Sequence, residues 1–159
     1  MSLPGAGRRA VLAGMPLGAL LSRGAGGLPP AEPVDFAALV RPRSPNTCLA
    51  APPGFPGADL PVPPLPAEPE AAWAALLRVA QSFPRTYPRA DWPERRQAQW
   101  VVRSALLNFP DIVAAEVTSG PAGTGLFLYS RSLFGWSDLG VNRRRVEAWL
   151  AALDAALRH

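Results

Sequence analysis

Proline placement constrains this chain more than any other feature. Thirteen of its twenty prolines fall between Pro29 and Pro69, with adjacent pairs at Pro52-Pro53 and Pro63-Pro64. Each proline fixes φ and removes a backbone donor, so residues 28–68 are expected to form neither regular helix nor a central strand. Apolar residues still recur there, at Phe36, Leu39, Val40, Leu49, Phe55, Leu60 and Val62, and a free tether has no need of them. The stretch therefore reads as an extended arm packed over a domain surface, with a short helical turn at 35–40 capped by Asp35.

After the arm the pattern becomes regular. Pro69 suits the first position of a helix and Glu70 its positive end. Trp73, Leu76, Leu77 and Ala80 recur at helical spacing, and Pro84 stops the run, which predicts a helix from Glu68 or Pro69 to about Ser82. Strands are predicted over 98–107, 112–118 and 125–132, broken by Pro110-Asp111 and by Gly120-Pro121-Ala122-Gly123. A weaker strand at 85–89 is punctuated by Pro84, Pro88 and Pro93. Loops this short call for antiparallel pairing. Asn142 reads as the cap of a last helix, with Val146, Trp149, Leu150, Leu153 and Leu157 on one apolar stripe. Residues 69–159 thus give an α+β domain: a two-layer sandwich whose three- to four-stranded antiparallel sheet carries two helices on one face.

Residues 1–27 read as a twin-arginine-type export signal. Arg8-Arg9 precedes an apolar stretch from Ala10 to Leu21, Arg23 follows it, and Ala25-Gly26-Gly27 offers small residues for cleavage. The stretch falls short of the roughly 20 residues that a helix needs to span a bilayer. Gly14, Pro16 and Gly18 weaken it further, so no stable transmembrane span is expected in the mature chain. No cysteine stands at its end to carry a lipid. The expected location is periplasmic or secreted.

The net charge of +4 loses its force once the charges are placed. Arg8, Arg9 and Arg23 lie in the first 27 residues; removing them leaves 13 arginines against 12 acids, a balance of +1. The one dense basic run left is Arg143-Arg144-Arg145, with no aromatic platform or reading helix, which argues against nucleic acid. The lone Cys48 excludes an internal disulfide framework and reads as a small buried hydrophobe. The lone His159 is the last residue, so His-based triads and His-ligated metals are excluded. No metal and no cofactor are expected.

The densest polar stretch runs from Tyr129 to Arg145, from a strand end into a helix start. Arginines in a helix's first turn face the positive end of the macrodipole and need negative compensation. That compensation is either internal, from Asp138, Asp111 and Glu147 (spaced i, i+4 from Arg143), or external, from an anion held by backbone N–H groups and arginine forks. The candidate anion or partner site is therefore Arg131, Ser132, Asp138, Asn142, Arg143 and Arg145, with Arg103 and Asp111 behind them. Asp138 is expected to pair with Arg131 or Arg145. The glycines of 120–123 and 135–140 match no dinucleotide or phosphate loop. Of the acidic pairs, Asp91/Glu94 and Asp111/Asp138, the second keeps open a hydrolase that works without histidine.

The same residues carry a resemblance. Arg103-Ser104-Ala105-Leu106, Phe109-Pro110-Asp111-Ile112, Tyr129-Ser130-Arg131-Ser132 and the run from Gly135-Trp136-Ser137-Asp138 through Asn142 to Val146 resemble the domain of unknown function 1499 family. Arg41-Pro42-Arg43-Ser44-Pro45-Asn46 and Ala51-Pro52-Pro53-Gly54-Phe55 resemble that family's leading arm. The resemblance extends from about Phe36 to Leu153. It implies a small bacterial or plastid domain, often with an export or membrane segment attached, and it implies no activity. The expected function is a non-catalytic envelope domain that binds a partner protein or a small anionic ligand; the alternative is a hydrolase using Asp111 and Asp138.

Overall fold

The computed structural model describes residues 17–159; Arg8, Arg9 and the rest of the expected export signal as far as Pro16 lie outside the described residues. Six strands form one sheet: β1 (Thr47–Ala51), β2 (Leu60–Pro61), β3 (Thr86–Trp92), β4 (Gln97–Arg103), β5 (Pro110–Gly120) and β6 (Gly123–Ser132). Their spatial order is β2-β1-β6-β5-β4-β3, antiparallel throughout except for the parallel β1–β2 pair. The α+β class holds, but the sheet has six strands instead of three or four.

The two additional strands come from the arm, which corrects the expectation that residues 28–68 hold no central strand, although other parts of the arm do pack over the sheet. Thr47–Ala51 is a proline-free run between Pro45 and Pro52, and it lies inside the sheet with Cys48 opposite Ser130 and Ala50 opposite Leu128. Pro61 is tolerated because β2 is an edge strand, where a missing donor breaks no ladder. The strand expected to reach Leu107 stops at Arg103. Beyond it the chain turns back, with Ser104 N–H donating to Phe109 O at 3.0 Å and Asn108 in the left-handed region at φ 55°. Leu106 and Leu107 are left in solvent.

Three helices accompany the sheet: α1 (Leu17–Leu21), α2 (Pro69–Ser82) and α3 (Val141–Leu157). Pro69 opens α2 as expected. Trp73, Leu76 and Val79 of α2 and Val146, Trp149 and Leu153 of α3 pack on Cys48, Trp100, Val113, Val117, Leu126 and Leu128 of the sheet. Each such buried apolar side chain contributes about 1.5–3 kcal/mol. Trp149 meets Trp100 edge-on at 5.3 Å and stacks on Phe83 at 5.6 Å.

The other face is covered by the arm. Asp35 caps a 3-10 turn through Ala37 N–H and Ala38 N–H, as its sequence position implies. That turn seats Phe36 on Phe127 at 5.0 Å, over Leu49, Ala51, Ala114 and Tyr129. Along β4 a buried polar row reads the backbone of the N-terminal segment. Gln97 exchanges two hydrogen bonds with Val34, Gln99 donates to Glu32 O, and Arg103 donates to Gly24 O and Gly26 O. The strand pattern of 98–107 gives no sign that polar groups fill one of its buried sides.

Candidate functional site

The polar stretch closes into a knot where β5, β6 and β1 meet the start of α3. Asn142 is its hub and has no solvent exposure. Its Nδ2 donates to Asn46 O at 2.9 Å, Ser132 Oγ at 2.8 Å and Asp138 Oδ2 at 2.6 Å. Its Oδ1 accepts from Ser130 Oγ and from Arg145 Nη1. Asn142 was expected to cap α3, and this is corrected. The N-cap is Gly140 at φ 79°, and the chain turns there so that Asn142 enters the helix with its amide aimed at the sheet. Asp138 does the capping from upstream, accepting from Gly140 N–H at 2.9 Å and Asn142 N–H at 2.8 Å.

The expected pairing of Asp138 with Arg131 or Arg145 is likewise corrected. Arg145 Nη2 pairs with Asp111 at 2.7 Å, and both side chains are largely buried. Arg131 alternates along β6 with Ser130 and Ser132 and so points to the opposite face. There it lines a cavity of about 350 Å³ with Arg89, Gln99 and Ile112. Burial, and after it the Arg131 charge, lowers the pKa of Arg89 in that cavity. Arg103 also lies on that face, bound to the N-terminal segment and away from the knot.

The two knot carboxylates are held differently. Burial raises the pKa of Asp111, and the ion pair with Arg145 and the Ser132 hydroxyl offset this only in part. Burial alone would raise Asp138 as well, but the hydrogen bonds from Asn142 and Gly140 outweigh it and hold Asp138 below the ordinary value. The arginine run is compensated internally: Arg143 pairs with Glu147 at 3.1 Å, Arg144 donates to Leu139 O at 2.9 Å, and Arg145 has Asp111.

Beside the knot opens a cleft of about 560 Å³, lined by Arg41, Arg43, Thr47, Cys48, Asp59, Asp138 and Arg143. Two sequence stretches far apart in the chain meet here, Arg41–Asn46 and Asp138–Arg143. Asn46 fastens them together, donating to Gly135 O at 2.8 Å while its carbonyl accepts from Asn142 and from Ser132 N–H. Arg41 is fixed by Asp59 at 2.6 Å and by Thr47 Oγ1 at 2.8 Å. Among the described residues no carboxylate lies within ion-pair distance of Arg43. Cys48 lies at the cleft floor, where burial, and then the Asp59 charge, pushes its thiol up to about 11.

Sequence reasoning singled out Arg143 and Asp138 for this region but missed Arg41, Arg43, Asn46 and Asp59. The density of basic and polar residues in Arg41–Asn46 was the available signal. Among the described residues no group of His, Cys, Asp and Glu is arranged to hold a metal ion.

The family model described as Protein of unknown function (DUF1499) matches residues 41–153, so it takes in both stretches that build the cleft. No curated protein and no solved structure matches the chain. The matched region spans the knot, the cleft and all six strands, and the chain belongs to the DUF1499 family.

Proposed function

We propose that the chain is an exported cell-envelope domain that works by binding, and that its ligand is a small anion bearing phosphate or carboxylate. The observation that carries this reading is the composition of the cleft. Arg41, Arg43 and Arg143 border it, Asp59 is already paired to Arg41, and Asp138 is engaged by backbone N–H groups. Arg41 is paired to Asp59 and Arg143 to Glu147, which leaves Arg43 as the cleft guanidinium with no carboxylate at ion-pair distance among the described residues. Three arginines against two carboxylates in the lining favour an anion, and arginine forks suit its planar or tetrahedral oxygens.

Binding without catalysis is supported by the groups a hydrolase would need. Asp111 is committed to Arg145 and Asp138 to the start of α3. A thiol titrating near 11 is protonated at neutral pH and is no nucleophile.

Inorganic phosphate is the first probe. A ligand present at a hundredfold its Kd stabilises the folded state by about 2.7 kcal/mol. Phosphate is expected to raise the melting temperature saturably beyond chloride of matched ionic strength. Arg43→Ala and Arg143→Ala should each weaken that response, and Arg131→Ala should leave it intact. Absence of a phosphate response, or its loss in Arg131→Ala alone, overturns this reading.

A further inference from the structure

Nine large hydrophobic side chains are exposed among the described residues, and six of them belong to three neighbouring segments at one end of the molecule. α1 presents Leu17 and Leu21, exposed to 76% and 79%. The turn between β4 and β5 presents Leu106 at 95% and Leu107 at 62%. The loop before α3 presents Trp136 at 68% and Leu139 at 85%. The segments are tied to one another. Asn108 Nδ2 donates to Leu20 O at 2.7 Å and Ser22 O at 3.0 Å, and Phe109 stacks on Phe134 at 5.4 Å.

The placement of α1 is built into the fold. Arg103, only 2% exposed, donates to Gly24 O at 2.9 Å and Gly26 O at 3.0 Å, and Ala19 is fully buried. Soluble surfaces rarely gather so much apolar area at one place without an occupant.

We propose that, in the chain that retains residues 17–27, this end is a lipid-facing surface, with Leu17, Leu21, Leu106, Leu107, Trp136 and Leu139 entering the headgroup–acyl boundary of an anionic bilayer. Three features select a bilayer as the occupant. The apolar residues stand on projecting turns and a short helix, the shape for dipping into an interface. Trp136 has the amphipathic ring that settles at headgroup level. Exposed Arg23 follows α1, and Arg144 is fixed to Leu139 O, so cations flank the apolar tips where lipid phosphates would lie. The chain outside the described residues also ends here: the apolar sequence from Ala10 onward leads directly into α1. The proposal stands apart from the anion cleft, since none of the six apolar residues lines it.

Vesicle co-sedimentation of the full chain tests it. The chain should pellet with vesicles of phosphatidylethanolamine and phosphatidylglycerol, and more weakly with phosphatidylcholine alone. The double variant Leu106→Ser/Leu107→Ser and the single variant Trp136→Ser should each lower partitioning by at least about tenfold with melting unchanged, because the altered side chains are exposed. Arg23→Gln/Arg144→Gln should reduce binding to the anionic vesicles only. Absence of pelleting overturns the proposal. So does wild-type binding by the serine variants. Self-association in solution, abolished by the same variants and without vesicle binding, would make a second copy the occupant instead.

Discussion

Asn142 shows how much one side chain organises at the residue scale. Its amide joins β6, the arm and the start of α3, and it depends on Asp138 for one of its five hydrogen bonds. Loss of an N-terminal helix cap costs about 0.5–2 kcal/mol, so Asp138→Ala should destabilise by about 1–2 kcal/mol in urea unfolding. Asp138 titrates below its unfolded value, so its contribution is present above about pH 4 and is lost as pH falls through the folded value. Asp138→Asn should therefore flatten the acid limb of a stability–pH profile. Asp111 tilts that profile the other way. Its folded pKa is raised, so its contribution is full below the unfolded pKa and declines as pH rises through the folded value. Arg145→Met would strand the buried Asp111 carboxylate and should cost about 3 kcal/mol, with part recovered in Asp111→Asn/Arg145→Met. Ser130, Ser132, Asp138, Asn142 and Arg145 were legible in sequence because they crowd into seventeen positions, Tyr129 to Arg145. Their partners were not, because the two faces of β6 separate Arg131 from its neighbours and Gly140 shifts the cap.

Elements held by local pattern were readable, and elements held by distant pairing were not. α2, α3 and the strands β3 to β6 carry helical or alternating spacing within short windows, and Asp35 carries its own capping chemistry. β1 has no such signature: five residues between two prolines become a strand only because β6, far along the chain, supplies the ladder. Proline density misleads there because it averages over a window, whereas a ladder needs only a proline-free run as long as the strand. Leu49 turns its N–H and C=O toward Asp59, so Ala50 turns its own toward β6. Ala50→Pro should remove a donor from inside the sheet, leave its acceptor unpaired and destabilise by about 1–3 kcal/mol, measured by thermal or urea unfolding. A merely draped arm, already rich in proline, would absorb that substitution at little cost.

Over the whole molecule, each face of the sheet is closed by a different part of the chain: α2 and α3 on one, the arm and the N-terminal segment on the other. Among the described residues no helix is long and apolar enough to cross a membrane. The final residues of the proposed export segment, Leu17–Gly27, are folded onto Arg103 and Asn108. The export machinery would therefore meet a chain whose leader is already docked at its C-terminal end, with Arg8 and Arg9 upstream of that contact. Replacing both arginines by lysine keeps the charge and every described contact, and it removes only the guanidinium pair that twin-arginine recognition requires. In cell fractionation the Arg8→Lys/Arg9→Lys chain should accumulate in the cytoplasm, with the melting temperature of the wild type. Because charge and stability are unchanged, retention would have to come from lost recognition, not from misfolding or weakened attraction to lipid. Normal delivery of the double-lysine chain to the envelope would refute the twin-arginine reading and leave the docked segment as a structural part of the domain.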